Sequence, residues 1–389
     1  MNSNIRTFIL EEVKKKKSIE EIDEKLCKAY GIDAINYLDL DFWYHKFYNG
    51  DYSMEGCRNP NAKQLLDLPC EVFNMILDQL NIGDRFILRR TSQELYDITD
   101  THNMTFKIIK FNFRPLWVSL EVNDIEIRYW KGQNECTMEN EQTVLFKNHS
   151  YFQMALEDLE FLLESPKLKL QELEVGLRST DKNIYAPWKW PENRFRGVIE
   201  RVLQNGGHQF FHVEKLRIVG CPLEFINCFL QYFKPNVLES LDLVPQLYIG
   251  DEVFDERLMF SIFKQPQWTE AKKLAMLFGS LKEKTFPTVQ ELGHFTHICI
   301  EDTVMWSLEF EQIRKLIQES QKLETLVVMC GFSDFQRFCA ILSEDVVYIP
   351  EDDEPDRAVY FVNGNEKVFD ISHQELGGRR EITFKRRMN

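Results

Sequence analysis

The sequence predicts a multidomain protein that combines α+β and α/β architecture, with helices at the N-terminus and alternating strands and helices in the C-terminal half. Its 389 residues are enough for about two or three domains, and 44% of them are hydrophobic, so the chain can bury a sizeable core. Apolar residues recur at helical spacing up to about residue 100, whereas short leucine-centred strands recur 24 to 43 residues apart beyond residue 170.

The charge balance and the cysteine count narrow the class of protein. The chain has 47 basic and 62 acidic residues, a net charge of −15, which disfavours nucleic acid as the main partner because phosphates attract a basic face. No stretch approaches the roughly 18 consecutive apolar residues of a membrane span, and the first lysines follow a short apolar run, unlike those of a secretory signal. Nine cysteines without CxxC spacing indicate reduced thiols. We expect an intracellular protein in the cytoplasm, with the nucleus as a second location.

The first 58 residues predict three short helices. Ile5 and Ile9 have helical spacing in the first, Ser18 followed by Glu21 predicts a capping box at the start of the second, and an aromatic run over 40–48 predicts the third. This arrangement resembles the helix-turn-helix domain at the N-terminus of mariner-type transposases. The resemblance implies DNA binding through the third helix.

The charges of this N-terminal segment argue against DNA binding. Residues 1–58 contain 9 Lys or Arg and 11 Asp or Glu, a net charge of −2. The third helix carries Asp39 and Asp41 against His45 and Lys46. We therefore favour a structural or protein-docking role, and DNA binding remains the alternative.

Residues 64–103 predict three further short helices. They follow a linker that is indicated by Asn59-Pro60-Asn61. Val72, Ile76, Leu77 and Leu80 are expected to form one apolar stripe, and Asp84 is expected to cap the following helix. The segment resembles an F-box. The residues that carry this resemblance are Leu68, Pro69, Glu71, Val72, Ile76, Leu77, Leu80, Asp84, Arg85, Leu88, Arg89, Ser92 and Leu95.

F-boxes dock on the Skp adaptor of cullin-RING ubiquitin ligases, and three helices of this length bury little surface alone, so a partner helix is physically expected. The resemblance implies that the docking surface or its immediate support comprises Leu68, Pro69, Val72, Ile76, Leu80 and Leu88. The alternative is an ordinary buried helical hairpin.

Six short strands in the C-terminal part predict a solenoid of strand–helix units similar to leucine-rich repeats. Their central apolar residues are Leu173, Leu216, Leu241, Leu274, Ile298 and Leu326. Three strands and a helix over 104–163 precede this array. Strands after Asp345, with a hairpin signal at Asn363-Gly364, are expected to cap its open end, and the basic segment Arg379–Met388 is expected to be a solvated tail. An ordinary α/β domain with evenly spaced strands is the alternative.

The order of these segments resembles one large nematode family of F-box proteins, which carry a transposase-like helical domain (here 1–58), an F-box (64–103) and an F-box-associated C-terminal FTH domain (104–389). The resemblance implies a non-catalytic, substrate-recruiting subunit of a Skp–cullin–F-box ubiquitin ligase. The expected partners of this subunit are the Skp adaptor and a target protein. Through the adaptor it would also associate with cullin and a RING subunit. The alternative is a scaffold or regulator outside the ligase that associates with nucleic acid through the N-terminal helices.

The strand residues beside the central apolar positions are the candidate target-binding groups, because alternate side chains of a strand point to opposite sides. Those with polar chemistry are Glu172, Glu174, Lys215, Arg217, Asp242 and His297. No P-loop, GxGxxG or HExxH motif is present, and the pairs His208/His212 and His294/His297 lack a third ligand at fitting spacing. We expect no catalytic, cofactor or metal site.

Overall fold

The chain forms two compact units, Met1–Gln79 and Leu80–Asn389. The computed structural model describes residues 3–31, 34–56, 65–101, 106–133, 135–140, 143–165, 168–177, 189–205, 209–245, 256–277, 287–301, 307–331, 346–347, 357–362, 367–376 and 379–387. Among these residues, no helix has both the length and the apolar character needed to cross a membrane.

The first unit is helical. Its elements are α1 (Ser3–Lys14), α2 (Ile19–Tyr30), α3 (Tyr37–Tyr48), a 3-10 turn (Leu65–Asp67) and α4 (Cys70–Gln79). The predicted capping box is present, because Glu21 donates its amide to the Ser18 hydroxyl and the Glu21 carboxylate accepts from the Ser18 amide. Gly31 ends α2 at φ 92°, a conformation that glycine adopts without strain.

Helices α1, α2 and α3 share one apolar core. Trp43 and Phe47 fill its centre from α3, and their rings are 5.4 Å apart. The buried residues of this core are Ile5, Ile9, Val13, Ile22, Leu26, Leu40, Trp43 and Phe47. The helical periodicity of the sequence therefore predicted the three helices correctly, but the aromatic run of α3 is divided between the buried Trp43 and Phe47 and the exposed Tyr48.

The second unit begins with α5 (Ile82–Arg89) and α6 (Gln93–Thr101). The side chain that caps α5 belongs to Asn81, whose Oδ1 accepts the Asp84 amide at 2.9 Å. The expectation that Asp84 caps this helix is therefore wrong, because the helix begins two residues earlier.

A large mixed sheet with helices follows. Its strands are β1 (Ile108–Arg114), β2 (Trp117–Val122), β3 (Ile125–Lys131), β4 (Glu135–Glu139), β5 (Thr143–Lys147), β6 (Leu170–Leu177), β7 (Val213–Cys221), β8 (Ser240–Pro245), β9 (Lys273–Leu277), β10 (His297–Glu301), β11 (Thr325–Gly331), β12 (Val346–Val347), β13 (Arg357–Val362), β14 (Lys367–Leu376) and β15 (Arg379–Arg386). Its helices are α7 (Tyr151–Leu163), α8 (Lys189–Asn205), α9 (Leu223–Leu230), α10 (Glu256–Phe263), α11 (Pro266–Thr269), α12 (Val289–Leu292) and α13 (Ser307–Glu319).

The described strands form one sheet in the order β12-β13-β14-β15-β11-β10-β9-β8-β7-β6-β1-β2-β3-β4-β5. Strands β6 to β11 are parallel neighbours in chain order, β1 is parallel to β6, and the strands at both ends of the sheet are antiparallel. Helical segments separate successive parallel strands, as this connection requires. The observed fold is thus a helical region followed by a large mixed sheet.

The six strands found in the sequence are β6 to β11, and their central residues are aligned in one row. Leu173 pairs with Leu216, Leu216 with Leu241, and the row continues through Leu274, Ile298 and Leu326. Each of these side chains is buried in the core beneath the sheet. The finer description as a leucine-rich-repeat-like solenoid stays a prediction.

The basic C-terminal segment is not a solvated tail. Arg379–Arg386 is strand β15, which lies antiparallel between β11 and β14, with Ile382 and Phe384 buried in the core. The tail prediction was wrong because the charged residues of this segment alternate with apolar ones, which is the pattern of a half-buried strand. The hairpin turn at Asn363-Gly364 lies outside the described residues.

We expect Leu241→Ala to lower the free energy of unfolding of the sheet by about 2–5 kcal/mol, because Leu241 is fully buried in the middle of the row. Denaturant unfolding followed by far-ultraviolet circular dichroism measures this change. Its neighbour Ser240 is half-buried on the opposite side of β8, so Ser240→Ala is the matched control. An equal loss in both variants would contradict the assigned register.

Candidate functional site

Helix α4 has one buried and one exposed apolar side. Phe73 and Leu77 are buried, whereas Val72 is 40% and Met75 is 68% exposed. Val72, Met75 and the half-buried Ile76 are three and four residues apart, so they lie along the same side of the helix. Val72 and Met75 together therefore give α4 an exposed apolar surface of the kind that a partner can cover.

The residues predicted to bind an adaptor fall into two groups. Pro69 and Val72 are exposed, whereas Leu68, Ile76, Leu80 and Leu88 are half-buried. The first unit contains Leu68, Pro69, Val72 and Ile76, and the second unit contains Leu80 and Leu88. The expectation that Leu77 belongs to the same stripe as Val72 is wrong, because Leu77 is fully buried on the other side of α4.

The sequence reasoning missed three exposed apolar residues next to this set. Leu65 and Leu66 are each 41% exposed in the 3-10 turn, and Met75 is the most exposed apolar side chain of α4. The spacing of three between Val72 and Met75 is the signal that could have found Met75. Together, the residues Leu65, Leu66, Leu68, Pro69, Val72, Met75 and Ile76 are called the α4 apolar surface below.

Helix α5, the second helix of the predicted F-box, packs on the sheet. Ile82 and Phe86 are buried in the same core as the strands, and the Phe86 ring meets the Phe161 ring of α7 edge-on at 6.0 Å. The Arg89 guanidinium lies 4.1 Å from the centre of the Tyr96 ring and 4.7 Å from that of Phe161. This helix is therefore part of the sheet domain rather than a free segment.

A buried ion pair reinforces this packing. The Asp158 carboxylate of α7 is fully buried. Arg90, the residue that follows α5, places its Nη2 atom 2.8 Å from Asp158 Oδ1. The Tyr129 hydroxyl donates a hydrogen bond of 2.5 Å to Asp158 Oδ2, and the Arg89 guanidinium lies 4.0 Å from Oδ1. Arg90 also donates to the carbonyls of Phe86 at 3.1 Å and Met154 at 3.3 Å.

Burial dominates the electrostatics of this cluster. It raises the pKa of the Asp158 carboxyl, and the attraction of Arg90 opposes that rise. Burial also raises the pKa of Tyr129 well above its usual value, so the phenol stays protonated and donates to Asp158. A buried carboxylate of this kind is tolerated only while its cationic partner and its hydrogen bonds remain.

The six predicted target-binding residues share the side of the sheet opposite the apolar row. Register pairs Glu172 with Lys215, and it pairs Glu174 with Arg217 and Arg217 with Asp242. Lys215 Nζ is 3.1 Å from Glu172, and Arg217 is 3.8 Å from Glu174 and 3.2 Å from Asp242. These charged side chains are therefore aligned in rows, and their opposite charges compensate one another across neighbouring strands.

The row that contains Asp242 becomes uncharged beyond β8. Burial raises the pKa of Asp242, and the next positions in its row are Ala275, Cys299 and Val327, which are half-buried and uncharged. His297 lies in the row of Glu172 and Lys215, which continues through Ser240 and Lys273, and it is 3.9 Å from Glu324. One row of the face thus loses its charges beyond β8, whereas the row of Glu172 stays polar as far as β10.

Most basic residues of the helical domain are engaged within it. The Arg6 guanidinium lies 4.5 Å and Lys46 Nζ 4.9 Å from the centre of the Trp43 ring. Lys15 and Lys25 both bind the buried Glu12 carboxylate, and these hydrogen bonds lower its pKa to about 2. Such lysines and arginines are not arranged as a basic face for phosphates.

The histidines do not gather into a metal site in the part of the chain that the structure describes. No group of three or more His, Cys, Asp or Glu side chains with metal-binding geometry occurs among these residues. The His294 Nε2 atom lies 2.8 Å from the Trp268 carbonyl oxygen, so this ring nitrogen is engaged in a hydrogen bond within the protein. His208 lies outside the described residues.

Comparison with known proteins matches three parts of the chain. Residues 65–107 match the F-box domain, residues 2–51 match the HTH domain in Mos1 transposase, and residues 193–342 match the FTH domain. The chain therefore contains an F-box domain together with a transposase-like HTH domain and an FTH domain. The domain boundaries 1–58, 64–103 and 104–389 stay predictions.

A relative matches nearly the full length. F-box A protein 224 of Caenorhabditis elegans is 22% identical over 375 residues, covering 94% of this chain and 92% of that protein. This match and the three domains together confirm the resemblance to the nematode F-box proteins that carry a transposase-like helical domain and an FTH domain.

Two solved structures are similar only at a low level. The Mos1 strand transfer complex is 10% identical, covering 55% of this chain and 76% of that chain, with a TM-score of 0.14. The catalytic domain of the CPx-ATPase CopB-B is 12% identical, covering 50% of this chain and 67% of that chain, with a TM-score of 0.10.

We expect Arg90→Met to lower the free energy of unfolding by about 3–5 kcal/mol, because it leaves the Asp158 carboxylate buried without its ion pair. Adding Asp158→Leu should recover part of this loss, since the double variant no longer buries an unpaired carboxylate, although Tyr129 and Arg89 lose it as a partner. Thermal or denaturant unfolding measures both. Arg128→Met is the control, because the exposed pair of Arg128 with Glu126 should contribute less than about 1 kcal/mol. Equal effects at Arg90 and Arg128 would refute the importance of the buried pair.

Proposed function

We propose that this protein is the substrate-recruiting subunit of a Skp–cullin–F-box ubiquitin ligase. The observation that carries the proposal is an F-box whose first helix presents an exposed apolar side while its second helix is packed into the core of a large sheet domain. Such a subunit is not an enzyme, because it acts by holding a target near the ubiquitin-transfer machinery. It would work in the cytoplasm, and in the nucleus where its target is nuclear.

The α4 apolar surface is the proposed contact with the Skp adaptor. Val72 and Met75 are exposed in the free chain, and burial against a partner helix would remove their apolar area from water. Leu68, Pro69 and Ile76 extend this surface along the chain, and Leu80 and Leu88 are the proposed adaptor contacts of the second unit. Through the adaptor the protein would join cullin and a RING subunit.

The sheet is the proposed target-binding domain. Its strands β6 to β11 run in chain order with one aligned row of buried residues, which supports the description as a leucine-rich-repeat-like array of stacked strand–helix units. Solenoids of this kind bind partners on the surface formed by their strands. The rows containing Glu172, Glu174, Lys215, Arg217, Asp242 and His297 lie on that surface.

Within the second unit, the packing of α5 fixes the position of Leu88 relative to the sheet face. Phe86 and Arg90 tie α5 to α7, and α7 in turn packs on β2 and β3. A rigid connection would hold a bound target at a constant distance from the adaptor contacts of Leu80 and Leu88. Proximity catalysis depends on such positioning, because flexible tethering dilutes the effective concentration of the target.

We expect Val72→Asp with Met75→Asp to weaken binding to a Skp-type adaptor at least about a hundredfold, because each buried aliphatic side chain contributes about 1.5–3 kcal/mol and a buried charge adds a penalty. Pull-down with purified adaptor, followed by calorimetry, measures the loss. Asn74→Asp adds a charge on another side of α4 and should bind normally. Unchanged binding by the double variant would refute the adaptor surface.

We expect exchange of a charge pair on the sheet face to change the set of captured target proteins. Lys215→Glu with Glu172→Lys preserves the 3.1 Å ion pair in reversed order, so the fold should persist while the surface pattern changes. The control is Arg201→Glu with Glu160→Arg, which reverses a pair between α7 and α8. Quantitative mass spectrometry of captured proteins compares both. An unaltered set in the first variant would place the target site elsewhere.

A further inference from the structure

Helix α3 presents a stripe of aromatic rings to solvent. Tyr37, Asp41, Tyr44 and Tyr48 are spaced by four, three and four residues, so they follow one side of the helix. Tyr37 is 54% exposed and Tyr48 is 67% exposed, whereas the buried residues of α3 face the domain core. Large exposed rings in a continuous helical stripe are a feature of binding surfaces rather than of ordinary solvated helices.

The rings of this stripe are held in place. The Tyr44 and Tyr48 rings stack with their centres 5.8 Å apart and their planes 17° from parallel. The Tyr44 hydroxyl donates to the Lys17 carbonyl at 3.4 Å, which anchors the pair to the segment between α1 and α2. Rings that are ordered before binding lose little conformational entropy when a partner covers them.

Acidic groups surround the stripe. Partial burial makes the largest contribution to a raised pKa of the Tyr37 phenol. The nearby Asp41, Glu20 and Asp23 carboxylates raise this pKa further. Asp41 also lies 3.4 Å from His45 on the same helix. The lysines of the neighbouring helices pair elsewhere, Lys17 with Glu21 and Lys28 with Glu24.

This combination of groups selects for cationic side chains. The face of a tyrosine ring attracts an arginine or lysine side chain, and nearby carboxylates strengthen the attraction through charge-assisted hydrogen bonds. The same carboxylates repel phosphates, so duplex DNA is a poor occupant of the face. We propose that the α3 stripe of Tyr37, Asp41, Tyr44 and Tyr48 docks a segment of a partner protein that combines Arg or Lys with apolar residues.

The proposal does not depend on ubiquitin ligase activity, and a peptide library tests it directly. The immobilised full-length protein is panned against a random dodecapeptide phage library, and the selected sequences are compared with those selected by Tyr37→Ser with Tyr48→Ser. The parent protein should enrich peptides rich in Arg or Lys beside apolar residues, and the variant should not. A synthetic copy of the best peptide is then measured by fluorescence polarisation, where the double variant should bind at least about tenfold more weakly.

Matched variants separate the stripe from the general negative charge of the protein. Leu116→Ser with Leu145→Ser removes two exposed apolar residues of the sheet domain, 66% and 49% exposed, and should leave peptide binding unchanged. Asp41→Asn should weaken binding, whereas Asp124→Asn removes an equal charge from an exposed turn and should not. Because Asp41 is on the helix surface, its substitution tests the proposal even if the tyrosine variant folds poorly.

Three outcomes would overturn the proposal. The first is selection of peptides without an excess of basic residues, and the second is equal selection by the parent and the tyrosine variant. The third is submicromolar, salt-sensitive binding of a labelled DNA duplex that the Tyr37 and Tyr48 substitutions weaken, which would make nucleic acid the occupant of this face.

Discussion

The buried carboxylate of Asp158 is the interaction on which the arrangement of the sheet domain and the second F-box helix depends. It is fully removed from water, Arg90 forms an ion pair with it, and Tyr129 donates a hydrogen bond to it from a different part of the chain. Because a buried charge without a partner is strongly destabilising, α5, α7 and β3 must keep their relative positions whenever the unit is folded. Apolar packing of Phe86 would allow small shifts of α5, whereas the ion pair and its hydrogen bonds admit one geometry.

A second constraint is the separation of apolar and charged residues on the two sides of the parallel strands. A shift of one residue in the pairing of β7 with β6 would bring Leu216 to the polar side and would separate Lys215 from Glu172. The buried row and the ion pairs therefore specify the same register. The ion pairs are only partly buried, so their contribution lies more in specifying register than in total stability. A target that binds this face must compete with these internal pairs, which favours partners whose own charges match the pattern.

Local patterns predicted local structure well. The capping box of Ser18 and Glu21, the periodicity of α1 to α3 and the six leucine-centred strands depend on residues close in sequence, and each is present where expected. The contacts between distant segments could not be predicted in this way. Arg90 and Asp158 are 68 positions apart in the sequence, and nothing near either residue indicates that they pair. The strand character of Arg379–Arg386 was missed for a related reason, since its partner β11 lies about fifty residues earlier and its charges dominated the interpretation. Leu77 and Val72 were placed together because hydrophobicity alone does not tell which side of a helix the folded chain buries.

The N-terminal domain shows how a fold can be kept while the chemistry of its surface changes. The match to the helix-turn-helix domain of a transposase concerns the three helices and their core, and that core consists of apolar residues that carry no information about a ligand. Affinity for DNA would require basic groups directed outwards, yet Arg6 and Lys46 lie against Trp43, and Lys15 and Lys25 bind Glu12. The side chains of Lys15 and Lys25 are exposed but paired with Glu12, and the outer side of α3 carries tyrosine rings and Asp41. The contacts that stabilise the three helices thus involve the same basic residues that binding to phosphates would need.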